Sequence, residues 1–424
     1  MDNIFETEEF YNQNKKHNKR RSARKQEGKG LRIFLIILIC ILSLLIVLVT
    51  VAKVVGVLDF GTEVPDNIKT STYQPIVRED GTIAERKQEN YNFLVVGQDL
   101  RANLTDVMMI INYDVTDGNM TLMQLPRDTL VVLDAYACMN CKVPVTTAEG
   151  RNGSCNTCGG SVKTLCTGYR RKLNSVYHQY YSSLNSDNNE ENVRFGMEGL
   201  ALTFAQSLNI NIDYYAHMDL AGFRAIVDTI GGVDMYVPYD MHYEDPYQDL
   251  YIHLYQGQQN LNGEKAEQFV RFRSGYIRAD ISRQDAQKLF MVAFLQNFKE
   301  KITVTKAVPI ASTMLKYVTH SVPVSDLDYY AKTLLSMDFS NVTMLSAPFS
   351  ETGGDLVLHR HALRDIINAH YNLYDTDIPD SQFDTERIFT VVNDSYINSK
   401  YLTEEEFEGE HSAEDIKENG LEIY

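Results

Sequence analysis

The sequence predicts an α/β fold in which a mixed sheet lies between helices as an α/β/α sandwich, behind one N-terminal transmembrane helix. Apolar runs of strand length alternate with longer segments in which apolar residues recur every three or four positions. Gly residues or an Asp-Gly pair stand at the ends of several of these segments. A long stretch without charge precedes all of them. Alternation of this kind is typical of helices packed on a sheet.

The uncharged stretch runs from Ile33 to Ala52 and can cross a hydrocarbon core about 30 Å thick at ~1.5 Å per residue. Residues 1–32 are densely basic, and such flanks stay in the cytoplasm. We therefore expect a basic cytoplasmic segment at 1–32, a single transmembrane helix at 33–53 and an extracytoplasmic C-terminal domain at the cell membrane. A cleaved signal peptide is the alternative, but no small-x-small cleavage site closes the run.

The remaining regions differ in composition. Residues 54–90 are polar with scattered Gly and Pro, which predicts an extracytoplasmic stalk. Residues 376–424 are acidic with little apolar spacing, which predicts a mobile tail. The domain is expected at 91–300, with a C-terminal helical and strand extension at 301–375. The formal net charge of -17 argues against a nucleic-acid partner, because such proteins need a basic face.

Local patterns predict the elements of this domain. Three apolar runs predict strands, YNFLVVG, DVMMIINYDV and MTLMQL, and Asp117-Gly118 predicts a hairpin turn between the last two. Apolar spacing of three or four predicts the helices NVRFGMEGLALTFAQSL, LAGFRAIVDTIGG, RQDAQKLFMVAFLQNFKEKI, VSDLDYYAKTLLSMD and LHRHALRDIINAHYN.

Charged residues follow or open the predicted strands. Asp99 follows the first strand, Asp106 opens the second, and Arg127 with Asp128 follows the third. Any one of them is ordinarily a turn-capping residue, but together they place carboxylates and a guanidinium at one edge. Hard carboxylates bind magnesium, which bridges phosphates.

A cluster of arginines lies within residues 269–287, FVRFRSGYIRADISRQDAQ. Arg271 and Arg273 flank Phe272, and this period of two predicts a strand with both guanidiniums on one face. Arg283 and Gln287 are four apart, which places one above the other on a helix. Guanidinium groups match phosphate oxygens, so the cluster suits a pyrophosphate with its metal.

The ordered segments VVGQDLRANLTDVMMIINYD, LMQLPRDTLV, KLNSVYHQY, INIDYYAHMDLAGFRAIVDTIGGVDMYVP, GQQNLNGEKAEQFVRFRSG and DISRQDAQ resemble the LytR-CpsA-Psr (LCP) family of cell-wall glycopolymer ligases. The resemblance covers roughly residues 91–300. It implies an LCP-like fold and a transferase that moves a glycopolymer, such as teichoic acid or capsule, from a polyprenyl-pyrophosphate carrier to a peptidoglycan hydroxyl. The membrane, the lipid-linked glycan and peptidoglycan are the implied partners, and Mg (or Mn) is the implied cofactor.

The resemblance also assigns site residues by motif. Asp99, Asp106 and Arg127 match catalytic positions, and Asp99 and Asp106 match the metal-associated ones. The pyrophosphate-binding positions correspond to Arg101, Arg127, Arg271, Arg273, Arg283 and Gln287. This chain departs from the family pattern at Leu104 and Ala286, where the family usually has arginines, and Arg101 is the expected substitute for the first. A non-catalytic binder or sensor of lipid-linked wall precursors is therefore the alternative function, and a structural envelope protein is a third.

Residues 136–168 form an insert that is foreign to the common family pattern. It contains Cys138-x2-Cys141 and Cys155-x2-Cys158, followed by Cys166. Paired CxxC units at this spacing are typical of a structural zinc site. An outward location instead favours disulfides, which would leave one cysteine unpaired, and a redox role is the third possibility. Since the insert follows Arg127 and Asp128 in sequence, we expect it at the rim of the site.

Overall fold

The computed structural model describes residues 76–99, 104–246, 250–272, 280–301, 313, 316–337, 341–352, 355–383, 391–392 and 411–412. Its strands are β1 (Asn90–Asp99), β2 (Leu104–Asp114), β3 (Asn119–Leu125), β4 (Leu130–Cys138), β5 (Val143–Val145), β6 (Val162–Lys172), β7 (Tyr214–Asp219), β8 (Val233–Val237), β9 (Met241–Asp245), β10 (Leu250–Leu254), β11 (Gly257–Leu261), β12 (Val318–His320), β13 (Val342–Ser346), β14 (Phe349–Thr352), β15 (Asp355–His359), β16 (Val391–Val392) and β17 (His411–Ser412). Its α-helices are α1 (Thr147–Asn152), α2 (Val176–Leu184), α3 (Asn189–Leu208), α4 (Leu220–Ile230), α5 (Gly263–Arg271), α6 (Asp280–Lys301), α7 (Leu327–Ser336) and α8 (Arg360–Ile366).

The central sheet is mixed. Within the described residues it contains seven strands in the order β12-β7-β1-β2-β3-β13-β17. The neighbours β1 and β2, and β2 and β3, are antiparallel, whereas β7 runs parallel to β1 and β13 runs parallel to β3. As a result β1, β3, β7 and β13 all point the same way, and their carboxyl ends share one edge of the sheet.

The three predicted strands and the hairpin are confirmed. Met108 pairs with Leu125 and Asp114 with Asn119, so β2 and β3 form a hairpin around Asp117-Gly118. Gly118 has a φ of 67°, a left-handed conformation that a residue without Cβ adopts easily. Nearly every side chain of β2 and β3 is buried. Continuous apolar runs of this kind are typical of strands in a central sheet that is covered on both faces.

Two hydrophobic cores cover the two faces of the sheet. On one face Phe93 and Val95 of β1 pack with side chains of α4, α5, α6 and α7, including Phe223 and Phe290. On the other face the alternate residues of β1 pack with α2, α3 and α8. The period of two along each strand thus divides the apolar side chains between two helical layers, as the sandwich prediction requires.

The helix predictions are confirmed, with two changes of boundary. The segment that starts at Val324 begins with a 3-10 turn and becomes α7 only at Leu327. Leu358 and His359, predicted to open the last helix, instead end β15, and α8 begins at Arg360. Both changes fall at helix starts, where a change from strand or turn to helix leaves little trace in apolar spacing.

The end of the predicted stalk packs on the domain. Ile76 and Ala84 are buried, and Arg86 forms a bidentate ion pair with Asp213, with both Nη–Oδ distances at 2.9 Å. Asp213 has no exposed side-chain surface and also accepts the backbone N–H of Asn92. The packed part of the chain therefore begins before residue 90.

The predicted transmembrane segment, 33–53, lies outside the described residues. In the part of the chain that the structure describes, no helix has the length and apolar character needed to cross a bilayer. At the C-terminal end Ile378 and Phe383 are buried, so packing continues past residue 375.

Candidate active site

Charged and polar side chains from several strands meet at the edge where β1, β3 and β7 end. Because β2 runs antiparallel to β1 and β3, its first residues lie at the same edge. Asp99 is the last residue of β1 and pairs with Leu104, the first residue of β2. The expectation that the strand ends bring these groups to one edge is therefore met by the backbone register.

The centre of this edge is an ion pair between Asp106 and Arg127. Met108 faces Leu125 in the ladder, so the residues two positions further out, Asp106 and Arg127, stand opposite each other. Arg127 Nη1 donates to Asp106 Oδ1 at 2.5 Å, and the two side chains are 13% and 3% exposed. Asp106 Oδ2 is buried and has no hydrogen-bond partner within the described residues.

Further contacts position this ion pair. The backbone oxygen of Arg127 accepts the backbone N–H of Asn174 at 3.0 Å, and the backbone oxygen of Asn174 accepts the Thr105 hydroxyl at 3.2 Å. Asp128 Oδ2 lies 3.7 Å from Arg127 Nε, and its other oxygen lies 3.1 Å from Lys172 Nζ. Charges of opposite sign thus alternate along the rim of the site.

Arg271 is helical, so the prediction of a strand at 271–273 was wrong. It is the last residue of α5, where Ala266, Phe269 and Val270 are buried. This spacing of three and four extends over the whole helix and outweighs a period of two over three residues. Phe272 follows as the helix C-cap and is buried.

The Arg271 side chain is held by an acidic neighbour. Arg271 Nη1 donates to Glu267 Oε1 at 2.5 Å, one helical turn away, and Arg224 Nη1 donates to Glu267 Oε2 at 2.7 Å. Arg271 is only 6% exposed. Glu267 therefore fixes two guanidinium groups, a role that the sequence analysis did not assign.

Gln287 connects the helices to the sheet. It lies on α6 as predicted, is fully buried, and donates through Nε2 to the Val270 carbonyl at 3.1 Å. Its Oε1 accepts Nε2 of Gln124, three residues before Arg127, at 3.3 Å. This chain of hydrogen bonds places the end of α5, and Arg271 with it, next to the carboxyl half of β3.

The remaining predicted residues are only partly described. Arg101 and Arg273 lie outside the described residues, and the side chains of Asp99 and Arg283 lie outside them as well. The two departures from the family pattern are described. Leu104 is half-buried at the start of β2, and Ala286 is fully buried in the core that contains α5 and α6.

No sequence pattern predicts a second buried pair at the same edge, Gln98 and His217. His217 Nε2 lies 2.8 Å from Gln98 Oε1, and its ring stacks on Tyr177 at 5.3 Å between centroids. Burial lowers the pKa of His217 to about 4, so its imidazole is neutral and donates to the amide oxygen at neutral pH. The pair arises from the parallel register of β1 and β7, which no local motif encodes.

The cysteines of the insert form a separate cluster. The Sγ atoms of Cys138, Cys141, Cys155 and Cys158 all lie within 4.8 Å of one another. Cys138 is the last residue of β4, at the opposite end of this strand from Arg127. The expectation that the insert forms a rim of the site is therefore wrong for its cysteines.

Comparisons with known proteins identify related sequences. The profile of the LytR_cpsA_psr family matches residues 63–373. The polyisoprenyl-teichoic acid–peptidoglycan teichoic acid transferase TagV of Bacillus subtilis (strain 168) is 23% identical over 250 residues, which cover 58% of this chain and 53% of TagV. The cell wall biosynthesis protein LcpA of Corynebacterium glutamicum is 24% identical over 281 residues, 63% of this chain and 47% of LcpA.

The chain thus matches about half the length of these curated relatives. Among solved structures, B. subtilis TagV has 20% sequence identity and a TM-score of 0.46, with 66% of this chain and 95% of that chain covered. The family profile spans most of the sequence, from before the first described residue to the segment after α8. This protein is therefore a member of the LytR_cpsA_psr family.

Proposed function

We propose that this protein is a membrane-anchored extracytoplasmic phosphotransferase, which moves a glycopolymer from a polyprenyl-pyrophosphate carrier to a hydroxyl of peptidoglycan. Membership of the LytR_cpsA_psr family and the transferase activity in the name of TagV support this proposal. The observation that carries it is the buried Asp106–Arg127 pair, which leaves Asp106 Oδ2 without a hydrogen-bond partner in the described part of the chain.

The proposed reaction is a displacement at phosphorus. The acceptor hydroxyl oxygen forms a bond to the phosphorus that carries the glycan, and the bridging P–O bond of the pyrophosphate breaks. Polyprenyl phosphate leaves with the electron pair of that bond, and the hydroxyl proton passes to Asp99 or Asp106. Negative charge grows on the leaving phosphate, so fixed cations beside it lower the barrier.

The residues at the edge fit a magnesium ion. A carboxylate oxygen without a protein donor is a hard ligand of the kind that Mg²⁺ selects, and Asp99 ends the neighbouring strand. Asp106, together with Asp99, would hold the ion. Bound there, magnesium would neutralise charge on the phosphate oxygens. Arg127 orients Asp106 through Oδ1, which leaves Oδ2 for the metal.

The arginines supply the remaining positive charge. Arg271 is buried and oriented by Glu267, so little side-chain entropy is lost when it binds phosphate. The hydrogen bonds of Gln287 to Val270 and Gln124 fix the position of α5 against β3. We assign Gln287 a positioning role, while Arg101, Arg273 and Arg283 remain proposed contacts to the pyrophosphate.

The test uses the full-length protein in detergent with a polyprenyl-pyrophosphate-linked glycan, magnesium and peptidoglycan fragments. Mass spectrometry follows the released polyprenyl phosphate and the glycan-bearing fragment. Both products are expected from the wild type and neither from Asp106→Asn. Asp117→Asn is the matched control, because Asp117 is exposed in the turn at the other end of the same hairpin.

The same experiment distinguishes the alternative of a non-catalytic binder or sensor. The burial of Ala286 in the core and the half-buried Leu104 show that this chain places no charge at two positions where the family usually has arginine. If lipid copurifies with the wild type but no polyprenyl phosphate is released in the presence of magnesium, the protein is a binder and not a transferase.

A further inference from the structure

We infer that Cys138, Cys141, Cys155 and Cys158 bind one structural Zn²⁺ ion that holds together the outer end of the β4–β6 hairpin. This site is independent of the proposed transferase activity. It belongs to a small lobe formed by β5, α1 and the turns around the four cysteines. The inference rests on the arrangement of the sulfur atoms, on the conformation of the two CxxC turns and on the small size of the lobe's hydrophobic core.

The sulfur atoms are spaced as the corners of a tetrahedral zinc site. A Zn–S bond of about 2.3 Å implies about 3.8 Å between neighbouring sulfurs of a tetrahedron. The Sγ–Sγ distances are 3.5 Å for Cys138–Cys158, 3.7 Å for Cys141–Cys155 and 3.6 Å for Cys141–Cys158. All six pairs lie within 4.8 Å. Cys141 is equally close to two different partners, so the geometry favours a common centre over two separate pairs.

The two CxxC turns have the same local conformation. The residue after the second cysteine is left-handed in each turn, with a φ of 53° at Lys142 and 68° at Gly159. Backbone N–H groups point at the sulfur atoms: those of Asn140 and Cys141 donate to Cys138, and that of Gly160 donates to Cys158. Such hydrogen bonds stabilise thiolates and orient them as ligands.

The turns also pack directly against each other. A Cβ added at Gly160 would lie 2.5 Å from Asn140 Nδ2 of the first turn and 3.2 Å from the sulfur of Cys158. A larger residue at position 160 would therefore have to displace the Asn140 side chain. The first turn ends at Cys141 and the second begins at Cys155, 14 residues later. The fold thus brings the two turns together as one unit.

The lobe lacks a core that would fold without a metal. Its buried hydrophobic residues are Tyr136, Cys138, Val145 and Cys155, and two of these four are the proposed ligands. A core of this size cannot offset the entropy of ordering the surrounding turns, and small lobes of this kind are usually held by a metal or by disulfides. A zinc ion bound by all four cysteines would supply that constraint.

The location indicates a structural role. Cys138 pairs with Val162 at one end of the β4–β6 ladder, and Leu130 pairs with Lys172 at the other end, next to Asp128. The eight-residue separation corresponds to about 26 Å along the strand. Four protein ligands also leave no open coordination position for a substrate. The ion therefore shapes the lobe and takes no part in phosphoryl transfer.

The test is metal analysis of the full-length protein purified in detergent without reductant or chelator. We expect about one zinc per chain by mass spectrometry. The chain has six cysteines, and all of them should react as thiols after denaturation with chelator. Growth with cobalt should give the visible absorption bands of a tetrahedral thiolate site. No zinc, together with only two reactive thiols, would instead establish two disulfides and overturn the inference.

Matched cysteine variants complete the test. Cys138→Ser and Cys155→Ser should both lose the zinc. Cys166→Ser is the control, because Cys166 is buried outside the cluster and lies 3.8 Å from the Leu133 carbonyl. It should keep one zinc. A zinc content that is unchanged in Cys138→Ser, or lost in Cys166→Ser alone, would contradict the assigned ligands.

Discussion

Arg127 and Asp106 face each other across the open end of the β2–β3 hairpin, with Nη1 and Oδ1 2.5 Å apart and both side chains largely buried. The hairpin register alone brings them together, since each lies two residues beyond the last ladder pair. A buried pair of this kind is sensitive to loss of either partner, because the remaining charge has little solvent to stabilise it. It links the folding of the hairpin to the proposed chemistry.

The first prediction concerns the shape of the Arg127 side chain. Arg127→Lys keeps the charge but loses the planar fork, so we expect transfer to fall by about 10-fold or more while the fold is kept. Arg127→Ala should abolish transfer and lower the free energy of unfolding by about 3 kcal/mol. Urea unfolding and product release measure the two effects. Equal activity of the Lys variant and the wild type would show that only the charge matters.

The second prediction concerns magnesium binding, with a readout that does not depend on activity. A saturating concentration of magnesium, about 100 times Kd, should stabilise the folded wild type by about 2.7 kcal/mol. Asp106→Asn should show no such stabilisation, and the control Asp117→Asn should behave as the wild type. The measurement is the melting temperature with magnesium and with chelator. An equal rise in all three proteins would place the metal elsewhere.

The third prediction concerns Arg271 and its positioning residue Glu267. Arg271→Ala removes a charge-assisted hydrogen bond to phosphate, worth about 1.5–3 kcal/mol, and should weaken binding of a polyprenyl pyrophosphate by about 10- to 100-fold. Glu267→Gln keeps Arg271 but loosens its orientation, so we expect kcat to fall more than KM rises. The exposed Lys163→Ala is the charge control. Unchanged lipid affinity in Arg271→Ala would remove Arg271 from the site.

The fourth prediction concerns acid stability. Burial lowers the pKa of His217 to about 4 from 6.5. Between these two pH values the unfolded chain binds a proton at this histidine and the folded chain does not. Stability should therefore fall as the pH drops from 6.5 to 4, by up to about 3 kcal/mol from this group. His217→Gln should lose this part of the pH dependence, whereas the exposed His242→Gln should retain it. Unfolding midpoints at several pH values test the difference.

The fifth prediction compares two ion pairs made by the segment before β1. Arg86→Ala leaves the fully buried Asp213 with one backbone donor, so we expect a loss of about 3 kcal/mol in the free energy of unfolding. Arg78→Ala breaks a pair with Asp375 whose side chains are 30% and 45% exposed, and should cost less than about 1 kcal/mol. Similar losses from both variants would contradict the structural account.

Local sequence patterns predicted the hairpin and the long helices because these depend on neighbouring residues. The Asp117-Gly118 turn and the apolar runs beside it are sufficient to determine β2 and β3. The single residue between Arg271 and Arg273 predicts a strand, but the helical spacing of the buried residues upstream of Arg271 outweighs it. Longer-range relationships are not encoded locally: Gln98 and His217 are 119 positions apart in sequence, and Arg86 and Asp213 are 127 positions apart.

The Arg86–Asp213 pair fixes the segment before β1 against the domain. It lies beside the amino ends of β1 and β7, whereas the proposed active site lies at their carboxyl ends, about 33 Å away along the ten residues of β1. The 22 residues from 54 to 75 reach at most about 75 Å when extended. With the proposed membrane span at 33–53, the contour length of residues 54–75 would exceed the length of the sheet. Under the proposed membrane anchoring, a segment of this reach would allow the proposed active-site edge to face a carrier whose pyrophosphate lies at the lipid surface.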